Sequence, residues 1–150
     1  MPEAKPHSVH PDGLLRFPTY VLGQLHKGFH TEIDESLREH WVLVCLDESK
    51  NLSQQDLSDS LGIDRSDVVR LIDGLEGDGF VLRTRDSTDR RKYQLSITAA
   101  GRSERRRVDS LIRESTDHAL AALDPDERYT LHRLALKALG RSEDLAPPPE

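Results

Sequence analysis

The stretch LSQQDLSDSLGIDRSDVVRLIDGLEGDGFVLR, residues 52–83, contains two short helices that mark their own ends. Ser53 can accept from the open N–H groups of a first helix with Asp56 at its third position, and Gly62 can take the left-handed backbone that closes it after Leu61. Asp64 can cap a second helix after the two-residue connection Gly62-Ile63, with Asp67 near the positive end of its dipole. Val68, Leu71, Ile72 and Leu75 recur at three- and four-residue spacings, which gives this helix an inward stripe, and Gly77 and Gly79 end it. Two helices joined by a tight glycine turn make a helix-turn-helix.

Directly afterwards the periodicity changes. Phe80, Val81 and Leu82 lead into RTRDSTDRRKYQLSI, residues 83–97, where Tyr93, Leu95 and Ile97 alternate with Lys92, Gln94 and Ser96 as in a half-buried strand. The segment reads as a two-stranded hairpin, a wing on the helix-turn-helix. It sets Arg83, Arg85, Arg90, Arg91 and Lys92 against Asp86 and Asp89, in a chain with 21 Lys and Arg against 27 Asp and Glu and a net charge of −6. Bases gathered this way suit a polyanion.

The flanks are helical. On the N-terminal side Leu22, Leu25, Phe29 and Ile33 predict a helix over residues 20–37, with Pro18 either at its first position or at a kink in a longer helix begun near Asp12. Trp41 to Leu46 is continuously apolar, which predicts a second, buried helix over 38–49. After the wing, Thr98 can cap a long helix carrying Val108, Leu111, Ile112, Ser115, Ala119 and Ala122, although Gly101 in its first turn is a poor helix former. Asp124, Pro125 and Glu127 then give a strong start signal for a last helix running to about Leu139-Gly140.

Composition excludes several classes. With 150 residues, 35% hydrophobic and 32% charged, the chain can bury a real core, and it holds no apolar run long enough to span a bilayer. A single cysteine, Cys45, cannot form an internal disulfide and lies in an apolar run that favours a core position over a redox sensor. No signal-peptide pattern opens the sequence, and a cytoplasmic location is expected. The absence of a nucleophile elbow, a phosphate-cradling glycine loop and an HExxH motif argues against an enzyme. Proline-rich, polar residues 1–11 and 142–150 read as flexible tails.

The succession of helix, buried helix, helix-turn-helix and the wing RDSTDRRKYQLSITAAG, residues 85–101, resembles the MarR (multiple-antibiotic-resistance regulator) family of bacterial winged-helix regulators over about Leu14 to Gly140. The most specific pieces are the LE pair with Gly79 closing the second helix, DSTDRR in the wing and LSITAAG after it. The family's wing often has Arg two places after the first Asp, where this chain has Thr88. The resemblance implies a mainly α fold with a small β-hairpin wing, in which residues 12–37 and 98–141 are dimerisation helices and 38–97 the DNA-binding lobe of one unit. It implies a homodimeric regulator of transcription, with repression the expected mode, on palindromic double-stranded DNA.

Candidate contacts follow from the faces. With the stripe inward, Arg65, Ser66, Asp67, Val69 and Arg70 lie outward near the start of the recognition helix: the arginines suit a guanine edge or a phosphate, Asp67 a cytosine amine and Val69 a thymine methyl. Ser53 and Gln54 are candidates for phosphate, Arg90 and Arg91 for the minor groove or its phosphates, and Arg83, Arg85 and Lys92 for support from the strands. Asp89 is expected to hold a neighbouring arginine. The run from Arg102 to Arg107 reads as a solvated or intersubunit ion-pair face.

Family members commonly bind a small effector, often an aromatic acid, and the segments that would line such a cleft here carry His26, His30, Arg38 and Trp41. His26 and His30 could also share a metal from one helix face, but without an adjoining cysteine or acid no metal and no cofactor are expected. The competing reading is a winged helix used for protein contacts, which the acidic charge would allow.

Overall fold

The computed structural model describes residues 12–30 and 34–149, the side chains of 34–36 excepted. In chain order the elements are α1 (Asp12–Leu15), α2 (Pro18–His30), α3 (Asp34–Glu48), α4 (Gln54–Leu61), α5 (Arg65–Gly77), β1 (Val81–Arg85), β2 (Tyr93–Ile97), α6 (Ala99–Ala119), α7 (Pro125–Ala138) and a 3-10 turn over Glu143–Leu145. The chain divides into two compact units, one spanning Phe29–Arg113 and the other comprising the residues up to Gly28 and those from Glu114 onward.

The Phe29–Arg113 unit holds the core. Val42, Leu43 and Leu46 of α3, Leu57 of α4, Val68, Ile72 and Leu75 of α5, Val81 of β1 and Leu95 and Ile97 of β2 are buried together. Each large side chain so buried contributes roughly 1.5–3 kcal/mol of transfer free energy. The stripe predicted on α5 is this core's central layer, with Leu71 half-buried at its edge. Trp41 departs from the buried run and is 40% exposed, because its place on α3 turns it from the face shared by Val42 and Leu46. Cys45 is half-buried against the core, and burial pushes its thiol up.

The chain ends its elements largely where the capping residues stand. Ser53 and Asp56 form a reciprocal capping box on α4, and Gly62 closes the helix with φ +64°. Asp64 sits at the N-cap of α5, but its side chain makes no capping bond, so the expected role of Asp64 holds for position and not for hydrogen bonding. Asp124 and Glu127 form a second box on α7 with Pro125 at its start. Pro18 opens α2.

The boundary between the first two long helices differs from the expectation of a helix over 20–37. Helix α2 ends at His30 and α3 already runs from Asp34, so Leu37 belongs to α3 and is buried. Ile33 lies outside the described residues. Leu37 fits the apolar spacing of either helix, and periodicity alone does not assign it.

β1 and β2 pair antiparallel from Val81–Ile97 at the base to Arg85–Tyr93 near the tip, and Leu52 adds a bridge to Leu95. The base of the wing is clamped to α6. Thr98 Oγ1 donates to the Gly79 carbonyl at 2.7 Å and accepts from the Gly101 N–H at 3.0 Å, while Thr98 N–H donates to the Phe80 carbonyl at 3.0 Å. A Cβ on Gly101 would penetrate the Phe80 carbonyl oxygen and stand 2.8 Å from Ile97 Cγ1. The glycine that weakens helix propensity is what lets α6 approach the hairpin.

Two ion-pair sets tie α6 to α3. Arg102 Nε and Arg105 Nη1 donate to the two oxygens of Asp47 at 3.0 and 2.8 Å, and they hold that carboxyl below its ordinary range. His40 Nε2 donates to Asp109 Oδ1 at 2.6 Å, with the His40 side chain buried. The run from Arg102 to Arg107 is therefore in part an intrachain clasp and not simply a solvated or intersubunit face.

The second unit has little interior. Leu120 and Ala146 are buried, and α2 meets the end of α6 where a Cβ on Gly28 would lie 3.7 Å from Ala119 Cβ. Arg128 pairs with Asp117 at 2.7 Å. Within the segment expected to be a flexible tail, Ser142 caps the 3-10 turn, Arg133 pairs with Glu143 at 3.3 Å and Ala146 is 3% exposed. Residues 1–11 and 150 lie outside the described residues.

Gly101→Ala should cost stability by about 2–4 kcal/mol, the scale of core overpacking, whereas Gly74→Ala in α5, where a Cβ meets nothing within 4 Å, should add about 0.5–1 kcal/mol. Urea unfolding of the two variants measures both signs; equal midpoints would contradict the clamp.

Candidate nucleic-acid interface

Three elements converge on one groove. The start of α4 supplies Ser53 and Gln54, the start of α5 supplies Arg65 and the wing supplies Arg91, Lys92 and Tyr93, together lining about 340 Å³. A second groove of about 500 Å³ runs between α5 and the strands past Val69, Asp73, Glu76 and Arg83, sharing Gln54 and Tyr93 with the first. The sequence-predicted residues are thus brought together from segments nearly 40 positions apart.

The inward burial of Val68, Ile72 and Leu75 leaves Arg65, Ser66 and Arg70 exposed and Asp67 and Val69 half-buried on the outer face of α5. Arg65, Arg90 and Arg91 form no ion pair among the described residues, so their charge is free to face an anion. Arg85 lies over the Tyr93 ring, 5.7 Å from its centroid, a cation–π arrangement that keeps the guanidinium near the wing tip. Tyr93 itself is 40% exposed, against the expectation that it would be buried with Leu95 and Ile97, because at Arg85–Tyr93 the hairpin has already left the core.

Arg83 is engaged internally, and Arg70 makes one ion pair while staying exposed. Arg83 Nη2 donates to Asp73 Oδ1 at 2.5 Å and Nη1 lies 3.6 Å from Glu76, with the Arg83 side chain only 20% exposed. Its position in β1 therefore locks the wing to α5. Arg70 Nη2 donates to Asp67 Oδ1, and Arg38 Nη1 of α3 lies 3.8 Å from Asp67 Oδ2.

The wing tip is organised by a residue the sequence reading passed over. Asp86 Oδ1 accepts from the Thr88 N–H at 2.8 Å, the Thr88 hydroxyl at 2.7 Å and the Asp89 N–H at 3.4 Å, and Asp86 Oδ2 accepts from Gln94 Nε2 at 3.2 Å. These donors, the Thr88 backbone first, lower its carboxyl from the ordinary 3.8 to about 2. Asp89 was expected to hold an arginine side chain; its carboxylate instead accepts the Arg91 backbone N–H at 3.0 Å, a short-range turn bond that fixes the chain path rather than the guanidinium. The pattern Asp-x-Thr at 86–88 was the available signal, since an aspartate two residues before a threonine is a common turn former.

Of the residues considered for an effector, Arg38 and Trp41 lie on α3, Arg38 facing Asp67 and Trp41 exposed. His30 belongs to the same unit, and His26 to the other. Among the described residues no group of three or more His, Cys, Asp or Glu side chains could hold a metal ion, and no helix is long and apolar enough to cross a membrane.

Comparison with known proteins places this architecture. Residues 36–93 match the MarR family model. A putative transcriptional regulatory protein for the hcr operon of Thauera aromatica is 32% identical over 106 residues, covering 71% of this chain; the chain spans 63% of that relative's length. The transcriptional repressor CouR, bound to a 23-mer DNA duplex, is 28% identical with a TM-score of 0.73, covering 89% of this chain and 100% of CouR. The PcaV transcriptional regulator from Streptomyces coelicolor in complex with its natural ligand shares the fold at 22% identity and a TM-score of 0.71, covering 88% and 98% of the two chains.

Because the folded pKa of Asp86 lies below its unfolded value, the stability it lends the wing is present above about pH 4 and is lost as pH falls towards 2. A carboxyl titration by NMR should place its midpoint near 2, and Asp86→Ala should speed amide exchange at Thr88 and Asp89 while leaving the α5 core amides protected. An ordinary midpoint near 4 would remove Asp86 from this role.

Proposed function

We propose that this chain, which belongs to the MarR family, is a transcriptional regulator that binds double-stranded DNA as a homodimer, with repression the expected mode. The observation that carries the reading is the groove where Arg65, Arg91 and Lys92 meet the Ser53 cap of α4. A helix start and a recognition helix enter a major groove together when the first touches phosphate and the second touches base edges. The wing then reaches the neighbouring backbone with Arg90 and Arg91. Arg65 and Val69 are the candidates for base edges, Ser66 for a base or phosphate, and Arg85 and Lys92 for phosphate. Arg83 has a structural partner and is dropped from direct contact. CouR, with DNA bound, is the relative whose arrangement favours this reading over a protein-contact module.

The homodimer rests on the unit of α1, α2 and α7. Phe17, Leu22, Leu134 and Leu139 there are 48–74% exposed, and no residue of α7 is buried. Apolar faces of this kind on terminal helices suit a second copy, and a two-fold dimer would set its recognition helices about 34 Å apart on a palindrome. A small aromatic-acid effector is part of the same reading: PcaV holds its natural ligand, and Arg38 with Trp41 offers a cation and an aromatic surface on α3. No metal or other cofactor enters it.

Replacing both Arg90 and Arg91 by Ala should weaken binding to all DNA sequences alike and make the slope of log K against log salt shallower by about 2. Unchanged affinity and slope would contradict the wing's role, and failure of the wild type to enrich any palindrome from genomic fragments would favour the protein-contact reading. For the dimer, sedimentation of the wild type should give twice the chain mass, and Leu22→Glu with Leu134→Glu should shift it to the monomer while leaving the Phe29–Arg113 core folded. A monomeric wild type at micromolar concentration would overturn that assignment.

A further inference from the structure

The outer face of α5 carries an acid where a polyanion is to dock. Asp67 stands in the first turn of the helix, between Arg65 and Arg70, and its side chain is 30% exposed. A bare carboxylate at that place would repel phosphate. A carboxylate could also accept from a cytosine amine. Here one oxygen is already committed, since Oδ1 accepts from Arg70 Nη2, and Oδ2 lies 3.8 Å from Arg38 Nη1 of α3, an ion-pair distance that balances its charge.

We propose that Asp67 is a positioning residue, which holds the Arg70 guanidinium for a guanine edge and reads no base itself, while Arg38 balances its charge. This rests on the DNA-binding function proposed above. The three groups sum to one positive charge, so the face stays attractive to DNA although it contains an acid. Arg70 spends one N–H on Asp67 and keeps the remaining donors of its fork, enough for the O6 and N7 acceptors of guanine. Its side chain is 78% exposed and would otherwise sample many rotamers; fixing it beforehand removes part of the ordering cost of recognition. The pair lies on the surface, where such contacts add little to folding, so its arrangement matters for what Arg70 touches rather than for whether α5 forms.

The test is selection from a randomised DNA pool with the wild type, Asp67→Asn, Arg70→Ala and the double variant, together with non-specific affinity at several salt concentrations. Arg70→Ala should lose roughly 5- to 100-fold of discrimination at one base pair per half-site. Asp67→Asn should lose discrimination at that same base pair, by about 3- to 30-fold, a share of the Arg70 loss. The double variant should match Arg70→Ala alone, which is the signature of two residues acting as one. Non-specific affinity of Asp67→Asn should stay level or rise, since a negative charge has been removed, whereas damage to α5 would lower it. The inference is overturned if Asp67→Asn leaves discrimination intact, alters a different base pair, or adds to the effect of Arg70→Ala. A wild type that selects no sequence overturns the DNA-binding function on which it rests.

Discussion

A net-acidic helix-turn-helix and wing can present their bases outward only if their carboxylates are engaged elsewhere. Between residues 53 and 92 nine acids face seven bases, counting Asp56, Asp59, Asp64, Asp67, Asp73, Glu76, Asp78, Asp86 and Asp89 against Arg65, Arg70, Arg83, Arg85, Arg90, Arg91 and Lys92. The fold engages most of the acids locally. Asp56 closes the α4 cap, where the Ser53 N–H lowers its pKa, Asp73 and Glu76 hold Arg83, and Asp86 and Asp89 accept backbone N–H groups in the wing. Each such bond builds a helix start, a strand anchor or a turn and fixes where the carboxylate points, and in the pairs of Asp73 and Glu76 with Arg83 it also offsets the charge. Net charge over the segment is therefore a poor guide to the field at its surface, where Arg65, Arg90 and Arg91 project.

The same bookkeeping explains what was legible in the sequence. Caps and turns were, because Ser53 with Asp56, Gly62 and Asp124 with Glu127 act over three or four residues and their chemistry is written in that window. The α5 stripe was, because a buried helix face has a period. Asp64 lay at the right position without the expected bond, since backbone conformation and side-chain rotamer are set separately. Arg83 was read as available because its partners are 10 and 7 residues away on another element, a distance that charge patterning along the chain does not resolve. The place of Leu37 in α3 escaped for a related reason: it fits either helix by spacing, and only its burial assigns it.

Gly101 is the sharpest case. Read locally it is a fault in a helix; in three dimensions it is where the helix backbone meets the Phe80 carbonyl and the Ile97 side chain. The adjoining Thr98 hydroxyl serves two elements at once, accepting from Gly101 at the start of α6 and donating to Gly79 at the end of the recognition-helix turn. A signal that depends on two distant segments touching appears in one sequence only as an unfavourable residue, and it acquires a meaning when the partner is located.

The wing is consequently held in two different ways. Its base is fixed by tertiary contacts, with Val81, Leu95 and Ile97 in the core, Leu52 bridged to Leu95, and Gly101 and Thr98 against the strand ends. Beyond Arg83 that support stops, and the tip relies on the Asp86 and Asp89 turns and on Arg85 over Tyr93. A rigid base sets the angle at which the wing leaves α5, while the tip that carries Arg90 and Arg91 depends on contacts made within the hairpin itself. On the proposed function this division suits Arg90 and Arg91 to attraction without sequence reading and leaves discrimination to the outer face of α5, whose backbone is fixed by the core beneath it.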